Sequence, residues 1–314
     1  MEYIKDIQNW QTAETCAVTL GKFDGVHRGH RKLIERIHRL ARLHGWKTAV
    51  FTFEIAPQVY MKERIPSLLM TNTERAEFLR DLDTDILVEC PFTDAIKNME
   101  AEDFVRDMLV ERLHAAVVVA GTDFRFGKDR KGNAAFLKEL GAKYHFQVEI
   151  IPKETDGERE ISSTYIREEL VAGRMEKVQE LLGYPYYLES TIVHGRHLGH
   201  SLGFPTINQV PEPEKILPPR GVYVSRTYVG GKYYQGVSNI GVKPTVDGSA
   251  VGVETYLFDC SRDLYGQNAR VELLSFRRPE QKFASIEELK QQMDRDIQGA
   301  DQYFEKLESL RSGK

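Results

Sequence analysis

Along the first half of the chain the hydrophobic positions switch repeatedly between a strand period and a helix period. Residues 17–20 (AVTL) form a short apolar run that stops at Gly21. From residue 31 the spacing turns helical, with Leu33, Ile34, Ile37, Leu40 and Ala41 on one face and Gly45 placed to end the helix. Residues 47–53 (KTAVFTF) read as a strand, and Thr71 with Glu74 has capping-box spacing at the head of the next helix. A strand at 85–90 (DILVEC) and an amphipathic helix at 101–114 (through Phe104, Val105, Met108, Leu109 and Leu113) follow. Residues 115–121 (AAVVVAG) are the most apolar run and predict a central strand buried on both faces. A helix at 133–144 and a strand at 146–152 complete an alternation that predicts a parallel sheet of about five strands. Such sheets hold ligands beyond the carboxyl ends of their strands. Two loops fall there, TLGKFDGVHRGH (19–30) and GTDFRFGKDRKG (121–132).

After residue 184 the pattern changes. Residues 167–183 read as helical, and YPYY (184–187) marks a junction. Beyond it, STIVHG, GVYVSRTYV, KYYQGVSNIG, VETYLFD and ARVELLSF alternate with turn residues and no helices, which predicts a small antiparallel β-barrel. The chain closes on a helix opened by Ser285 and Glu288 at capping-box spacing. Its stripe of Ile286, Leu289, Met293, Ile297, Ala300, Phe304 and Leu307 is expected to pack on the barrel. The fold class is therefore α/β for residues 1–184, followed by a barrel domain with a terminal helix for residues 185–314.

Composition sharpens this only slightly. The 314 residues are 41% apolar and 29% charged, as in ordinary globular proteins. A net charge of -4 argues against nonspecific nucleic-acid binding. Cys16, Cys90 and Cys260 lie far apart without zinc-ligand spacing, which suggests reduced thiols and a cytoplasmic setting. The opening MEYIKDIQNW lacks the apolar core of a signal peptide, and no apolar run is long enough to span a membrane.

The loop GKFDGVHRGH carries the first candidate chemistry. Gly21 and Gly25 permit a tight turn, and the following helix offers free N–H groups and a dipole that favours anions. His27 and His30, three residues apart, project the same way from a first helical turn, and Gly29 is expected to leave room between them for a phosphate chain or an adenine ring. Two imidazoles there could donate hydrogen bonds as charge moves onto a leaving pyrophosphate. The pair could also be two surface histidines, or half of a metal site that lacks a third ligand.

The string GKFDGVHRGH resembles the GxFDGxHxGH signature of the HxGH nucleotidyltransferases. GTDFRFGKDRKG and ISSTYIREEL (161–170) are similar to the DFRFG and ISSTxIR segments of bacterial FAD synthetases, in the same order. The resemblance implies a Rossmann-like domain in which the FMN phosphate attacks the α-phosphorus of ATP. On these motifs His27 and His30 contact the ATP phosphates, while Gly21, Phe23 and Asp24 shape the loop. Ser163, Thr164 and Arg167 complete the phosphate site, and Asp123, Phe124 and Arg125 line the flavin side. Phe124 and Phe126 have core packing as the competing role, and the serine pair has helix capping. Mg²⁺ is expected to arrive with ATP. Lys22 stands where the family commonly has Asn, and Ala56 where it often has His.

GHSLGFPTINQ (199–209) resembles the GRxLGFPTAN motif of riboflavin kinases. The segments GVSNIGVKPTV, VETYLFDCSRDLYG and FRRPEQKFASIEELKQQMDRD follow that family's order. The whole chain thus looks like the bacterial bifunctional riboflavin kinase/FAD synthetases, with ATP and flavins as partners. The implied kinase site uses Thr206 and Asn208 as oxygen ligands for Mg²⁺ and Glu254 as general base; for an isolated Glu254 an outward-facing strand carboxylate would be the alternative. His200 replaces the family's Arg, and a neutral imidazole stabilises phosphate less than a guanidinium does; Cys260 replaces a usual Phe. A monofunctional FAD synthetase with a weak or inactive barrel is the second reading. A flavin- or RNA-binding regulator that kept the fold is the third. Other HxGH transferases, such as pantetheine-phosphate adenylyltransferases, lack the barrel.

Overall fold

The computed structural model describes residues 1–54, 67–195, 204–245 and 248–312. Ala56, His200 and the 199–203 part of the glycine-rich motif lie outside the described residues. The chain divides into two compact units, Met1–Ser163 and Thr164–Lys314.

The first unit is built on six parallel strands: β1 (Glu2–Ile4), β2 (Cys16–Leu20), β3 (Lys47–Phe53), β4 (Ile86–Cys90), β5 (Ala115–Gly121) and β6 (Gln147–Ile151). Their spatial order is β1-β4-β3-β2-β5-β6. The strand that periodicity does not predict is β1, three residues long and so too short for alternation to register. Helix α1 (Arg28–His44) buries the expected face of Leu33, Ile34, Ile37, Leu40 and Ala41, and Gly45 ends it at φ 71°. Helix α2 (Asn72–Asp81) opens on the full Thr71–Glu74 capping box. Helix α3 (Ala101–Phe104) runs on as a π-helix over Val105–Arg112 rather than as one regular amphipathic helix, and this wider turn places Val105, Met108 and Leu109 in the core. Helix α4 (Ala134–Tyr144) and a short hairpin, β7 (Thr155–Asp156) with β8 (Arg159–Glu160), complete the unit.

Strand order reverses at β2. β3 and β4 lie to one side of it, and β5 and β6 to the other. The crevice beyond the carboxyl ends of β2 and β5 is where an open α/β sheet accommodates a ligand. The two glycine-containing loops leave from those two ends.

The second unit begins with α5, which starts at Ser163 and ends at Val171, and α6 (Met175–Leu182). The helix-to-strand change at residue 184 lies beyond both. They group with the strands because Met175, Val178, Leu181 and Leu182 of α6 are buried where it packs on β9 (Tyr186–Thr191) and β14 (Asn268–Pro279). With β10 (Thr206–Gln209), β11 (Gly221–Val229), β12 (Lys232–Thr245) and β13 (Gly248–Leu257), these strands form an antiparallel sheet ordered β10-β13-β12-β11-β14-β9. The two edges meet. Val193, just past β9, pairs with Asn208 of β10, its N–H donating to the Asn208 carbonyl at 2.8 Å. The buried Gln209 amide donates to Ser190 O at 2.8 Å and Ala269 O at 2.7 Å, fastening β10 to both β9 and β14. Closure of this kind removes exposed sheet edges.

The terminal helix α7 (Ile286–Ser312) packs on this sheet through its later half. Ala300 and Phe304 are buried with Val224 and Leu274, and Leu307 packs against them. At its head Ile286 is exposed, so the apolar stripe is only partly covered. Ser285 Oγ accepts from Glu288 N, while the Glu288 carboxylate accepts from Ala284 N, one residue earlier than a standard capping box.

Candidate active sites

In the first unit, β2 ends and the chain turns sharply into α1. Gly25 has φ 80°, and Phe23 (φ 48°) and Val26 (φ 29°) are also left-handed, a conformation that costs a β-branched or aromatic residue energy. Several bonds hold the turn in place. Gly21 N donates to Phe51 O, and Lys22 O accepts from Thr52 Oγ1 and Arg75 Nη1. Asp24 Oδ1 accepts from Leu69 N at 2.8 Å and Met70 N at 3.3 Å, and Asp24 O accepts from Ser163 Oγ at 2.9 Å. Asp24 therefore shapes the loop through a buried carboxylate, and Ser163 ties to it through its hydroxyl.

His27 and His30 stand together at the start of α1. Their rings are stacked with centroids 3.7 Å apart and an interplanar angle of 21°. The room expected between them is absent, because a face-to-face stack leaves no gap for a phosphate. Gly29 serves His27 instead: a Cβ there would meet His27 Cε1 at 3.2 Å and Nδ1 at 3.3 Å. Phe23 rests on the other side of His30, with centroids 5.1 Å apart, and Gly21 makes space for the Phe23 ring.

Burial dominates the electrostatics of the pair. It pushes His27 down to about 4, opposed weakly by Asp123. Burial, then the charges of His27, Arg75 and Lys22, push His30 well below the ordinary range. Both rings are neutral near pH 7. Among the described residues, Nδ1 of each is shielded from solvent and has no hydrogen-bond partner. His27 gives α1 no side-chain cap, so first-turn N–H groups remain available. Unsatisfied buried polar atoms beside an uncapped helix start suit a polyanion.

Beyond β5, Asp123 is exposed and paired with Lys153 at 3.0 Å. Phe124 is partly buried and stacks on Phe126 with centroids 5.4 Å apart, whereas Phe126 itself belongs to the core. Arg125 is exposed and donates to Phe124 O. Gly132 lies against the Phe126 ring and pairs with its backbone, which closes the loop. Thr164 and Arg167 sit in the opening turns of α5, in the second unit.

In the second unit, strand register assembles the other site. Asn208 of β10 lies opposite Glu254 of β13, and Glu254 in turn lies opposite Asn239 of β12. Thr206, two residues before Asn208, shares its face. The Asn208 amide covers Gly195, where any Cβ would collide with it. Among the described residues no trio of His, Cys, Asp or Glu could hold a metal. Thr206 and Asn208 are hard oxygen donors, however, and fit Mg²⁺ that keeps water and phosphate as its remaining ligands. Cys260 is partly buried against the cluster of Ile192, Ile207, Val229 and Leu257.

Periodicity and motif spacing give no sign of several residues in these sites. Asn239 reaches Glu254 only through strand pairing, and the Glu280 carboxylate fills the space that a side chain at Gly241 would take, beside Asn239. Arg75 reaches the β2–α1 loop from α2.

A model of the FAD synthetase family matches residues 9–165, and a model of the riboflavin kinase family matches residues 182–304. A bifunctional riboflavin kinase/FMN adenylyltransferase from Escherichia coli (strain K12) is 35% identical over 308 residues, covering 97% of this chain and 98% of the relative. The chain belongs to the bifunctional riboflavin kinase/FMN adenylyltransferase family. A member from Listeria monocytogenes serovar 1/2a is 36% identical and covers 93% of each chain. A crystal structure described as a macrolide-efflux protein from Streptococcus pneumoniae is 29% identical, with a TM-score of 0.85 over 95% of this chain and 98% of that one. Among the described residues, no helix is long and apolar enough to cross a membrane. Both domains of the bifunctional family are present, which favours the two-activity reading over a monofunctional FAD synthetase.

Proposed function

We propose that the first unit adenylylates FMN to FAD with release of pyrophosphate, and that the second phosphorylates riboflavin to FMN. The observation that carries the first assignment is the neutral, stacked His27–His30 pair with two unpartnered Nδ1 atoms at the start of α1. An FMN phosphate oxygen forms the new bond to the α-phosphorus of ATP, and the bond to the bridging oxygen of pyrophosphate breaks. First-turn N–H groups of α1 and one N–H from each imidazole bind the polyphosphate. Charge growing on the leaving group raises both imidazole pKa values and strengthens these bonds towards the transition state. Phe124 offers its face to the flavin ring, and Asp123 and Arg125 border it. The phosphate-binding roles of Thr164 and Arg167 rest on the family resemblance, and a division of the catalytic domains at residue 184 rests on the change of hydrophobic pattern there.

In the second unit, Glu254 accepts the proton of the riboflavin hydroxyl as that oxygen attacks the γ-phosphorus. Thr206 and Asn208 would hold Mg²⁺, which neutralises phosphate charge when bound. Asn208 and Asn239 flank Glu254 and limit where its carboxylate can point. We place both reactions in the cytoplasm, on the strength of three cysteines that are all unpaired.

Purified protein incubated with Mg-ATP and either riboflavin or FMN, with the flavins resolved chromatographically, tests the reading. FMN from riboflavin and FAD from FMN are expected. Neither product would overturn both assignments, and FAD alone would leave the second unit without its kinase role.

A further inference from the structure

We propose that Arg75 is a positioning residue for adenylyl transfer, clamping the peptide that leads into Phe23 and being held in turn by the buried carboxylate of Glu89. The inference rests on the adenylyltransferase reading of the first unit.

Arg75 lies in the second turn of α2, away from the loop in sequence, with its side chain 4% exposed. Its guanidinium makes four bonds. Nη1 donates to Lys22 O at 3.2 Å; the two hydrogens of Nη2 go to Glu89 Oε2 at 2.6 Å and Asn72 Oδ1 at 2.8 Å, one of them shared with Phe53 O at 3.3 Å. Glu89, on β4, is 1% exposed, and its other oxygen accepts from the Tyr3 hydroxyl of β1 at 2.8 Å. Burial and this bond push the Tyr3 pKa up, so the phenol stays a donor. One buried ion pair thus joins α2, β4 and β1 to the ends of β2 and β3.

Such a pair is poor value as stabilisation, since desolvation consumes much of the attraction. What it supplies is geometry. The Lys22 carbonyl belongs to the peptide plane whose nitrogen is that of Phe23, so fixing that oxygen sets the plane about which φ of Phe23 is measured. Thr52 Oγ1 holds the same oxygen from the other side at 3.1 Å. A φ of 48° at an aromatic residue persists only where its surroundings over-determine it. Phe23 then backs His30 at 5.1 Å, and His30 stacks on His27. The line of contact runs from Glu89 through Arg75, Lys22 O and Phe23 to His30. The Arg75 charge also helps to keep His30 neutral, alongside His27 and Lys22. The part of Lys22 that this clamp uses is its backbone carbonyl, while its side-chain charge acts on His30 separately.

The test compares the full-length protein with Arg75→Met/Glu89→Gln, which removes both charges together, and with Arg75→Lys, which keeps the charge and loses the fork. FAD formation from FMN, FMN formation from riboflavin and the His30 NMR titration are measured on each. In the double variant kcat for FAD formation should fall by roughly tenfold or more with KM for ATP changed less than about threefold, since reacting geometry rather than a ligand contact is lost. FMN formation should hold within about twofold, and the His30 midpoint should rise. Arg75→Lys should lose FAD kcat while His30 keeps its low midpoint. A folded double variant with wild-type FAD kcat, or one in which only KM rises, would overturn the proposal. If the double variant does not fold, wild-type FAD kcat in Arg75→Lys overturns it. Wild-type protein that makes no FAD would instead sink the adenylyltransferase reading, and the inference with it.

Discussion

The imidazole of His27 lies flat on that of His30, 3.7 Å centre to centre, and burial keeps both uncharged near neutral pH. That relationship has a pH signature. An unfolded histidine binds a proton as pH falls through its ordinary value of 6.5, whereas folded His27 resists until about 4. Between those values the unfolded state holds more protons, so stability rises with pH and is lost on acidification, by up to about 1.4 kcal/mol per pH unit for each such histidine. Urea midpoints should drop from about pH 7 to about pH 5, and the drop should shrink in His27→Gln/His30→Gln. An unchanged slope in that variant would mean that other groups carry the acid sensitivity.

Gly29→Ala should separate stability from activity. Position 29 lies in the first turn of α1, where Ala is favoured over Gly by less than the about 1 kcal/mol of a helix interior. The new methyl would press on His27 at 3.2 Å and tilt the stack. FAD formation is expected to fall about tenfold, a scale typical of small displacements in a reacting geometry. Thermal unfolding should be unchanged or slightly higher. Full FAD activity would show that the stacking distance is unimportant.

His30→Ala and Glu254→Gln should act on opposite activities. The first should remove most FAD formation, by about 100-fold or more, and spare FMN formation. The second should lower FMN formation by about 100-fold and spare FAD formation from supplied FMN. Chromatography of the flavins reads both in one assay. Loss of both activities in either variant would contradict the assignment of one reaction to each unit.

Gln209→Leu should weaken the barrel. The Ser190 and Ala269 carbonyls would each lose a buried donor, at about 1–3 kcal/mol apiece. Denaturant titration should show that loss together with a falling kinase activity. The neighbouring Asn208→Leu should instead raise the Mg²⁺ concentration needed for FMN formation, with a smaller change in stability.

The parts of this protein that local chemistry controls were legible. The face of α1, its stop at Gly45 and the Thr71–Glu74 cap follow from side-chain spacing and from backbone groups that a neighbouring residue can satisfy. The stack of His27 on His30 was half legible: i,i+3 spacing puts both rings on one side, but only the cradle above Gly29 brings them face to face. Phe126 shows the limit of a motif, since it stands in the same short string as Phe124 yet belongs to the core.

By itself the sequence determined two domains of different class and, through motif resemblance, the family, and it singled out the loop at the end of β2 as a candidate anion site. Each follows from periodicity or from residues close in sequence. Tertiary structure alone decided the rest. β1 joins the sheet through pairing with β4, Asn239 comes beside Glu254 through strand register, and Gln209 closes the barrel across its seam. Arg75 reaches Lys22 from a separate helix. These contacts link residues far apart in the chain, and their partners are chosen by which strands pair and what packing leaves buried. No local pattern of residues records that choice.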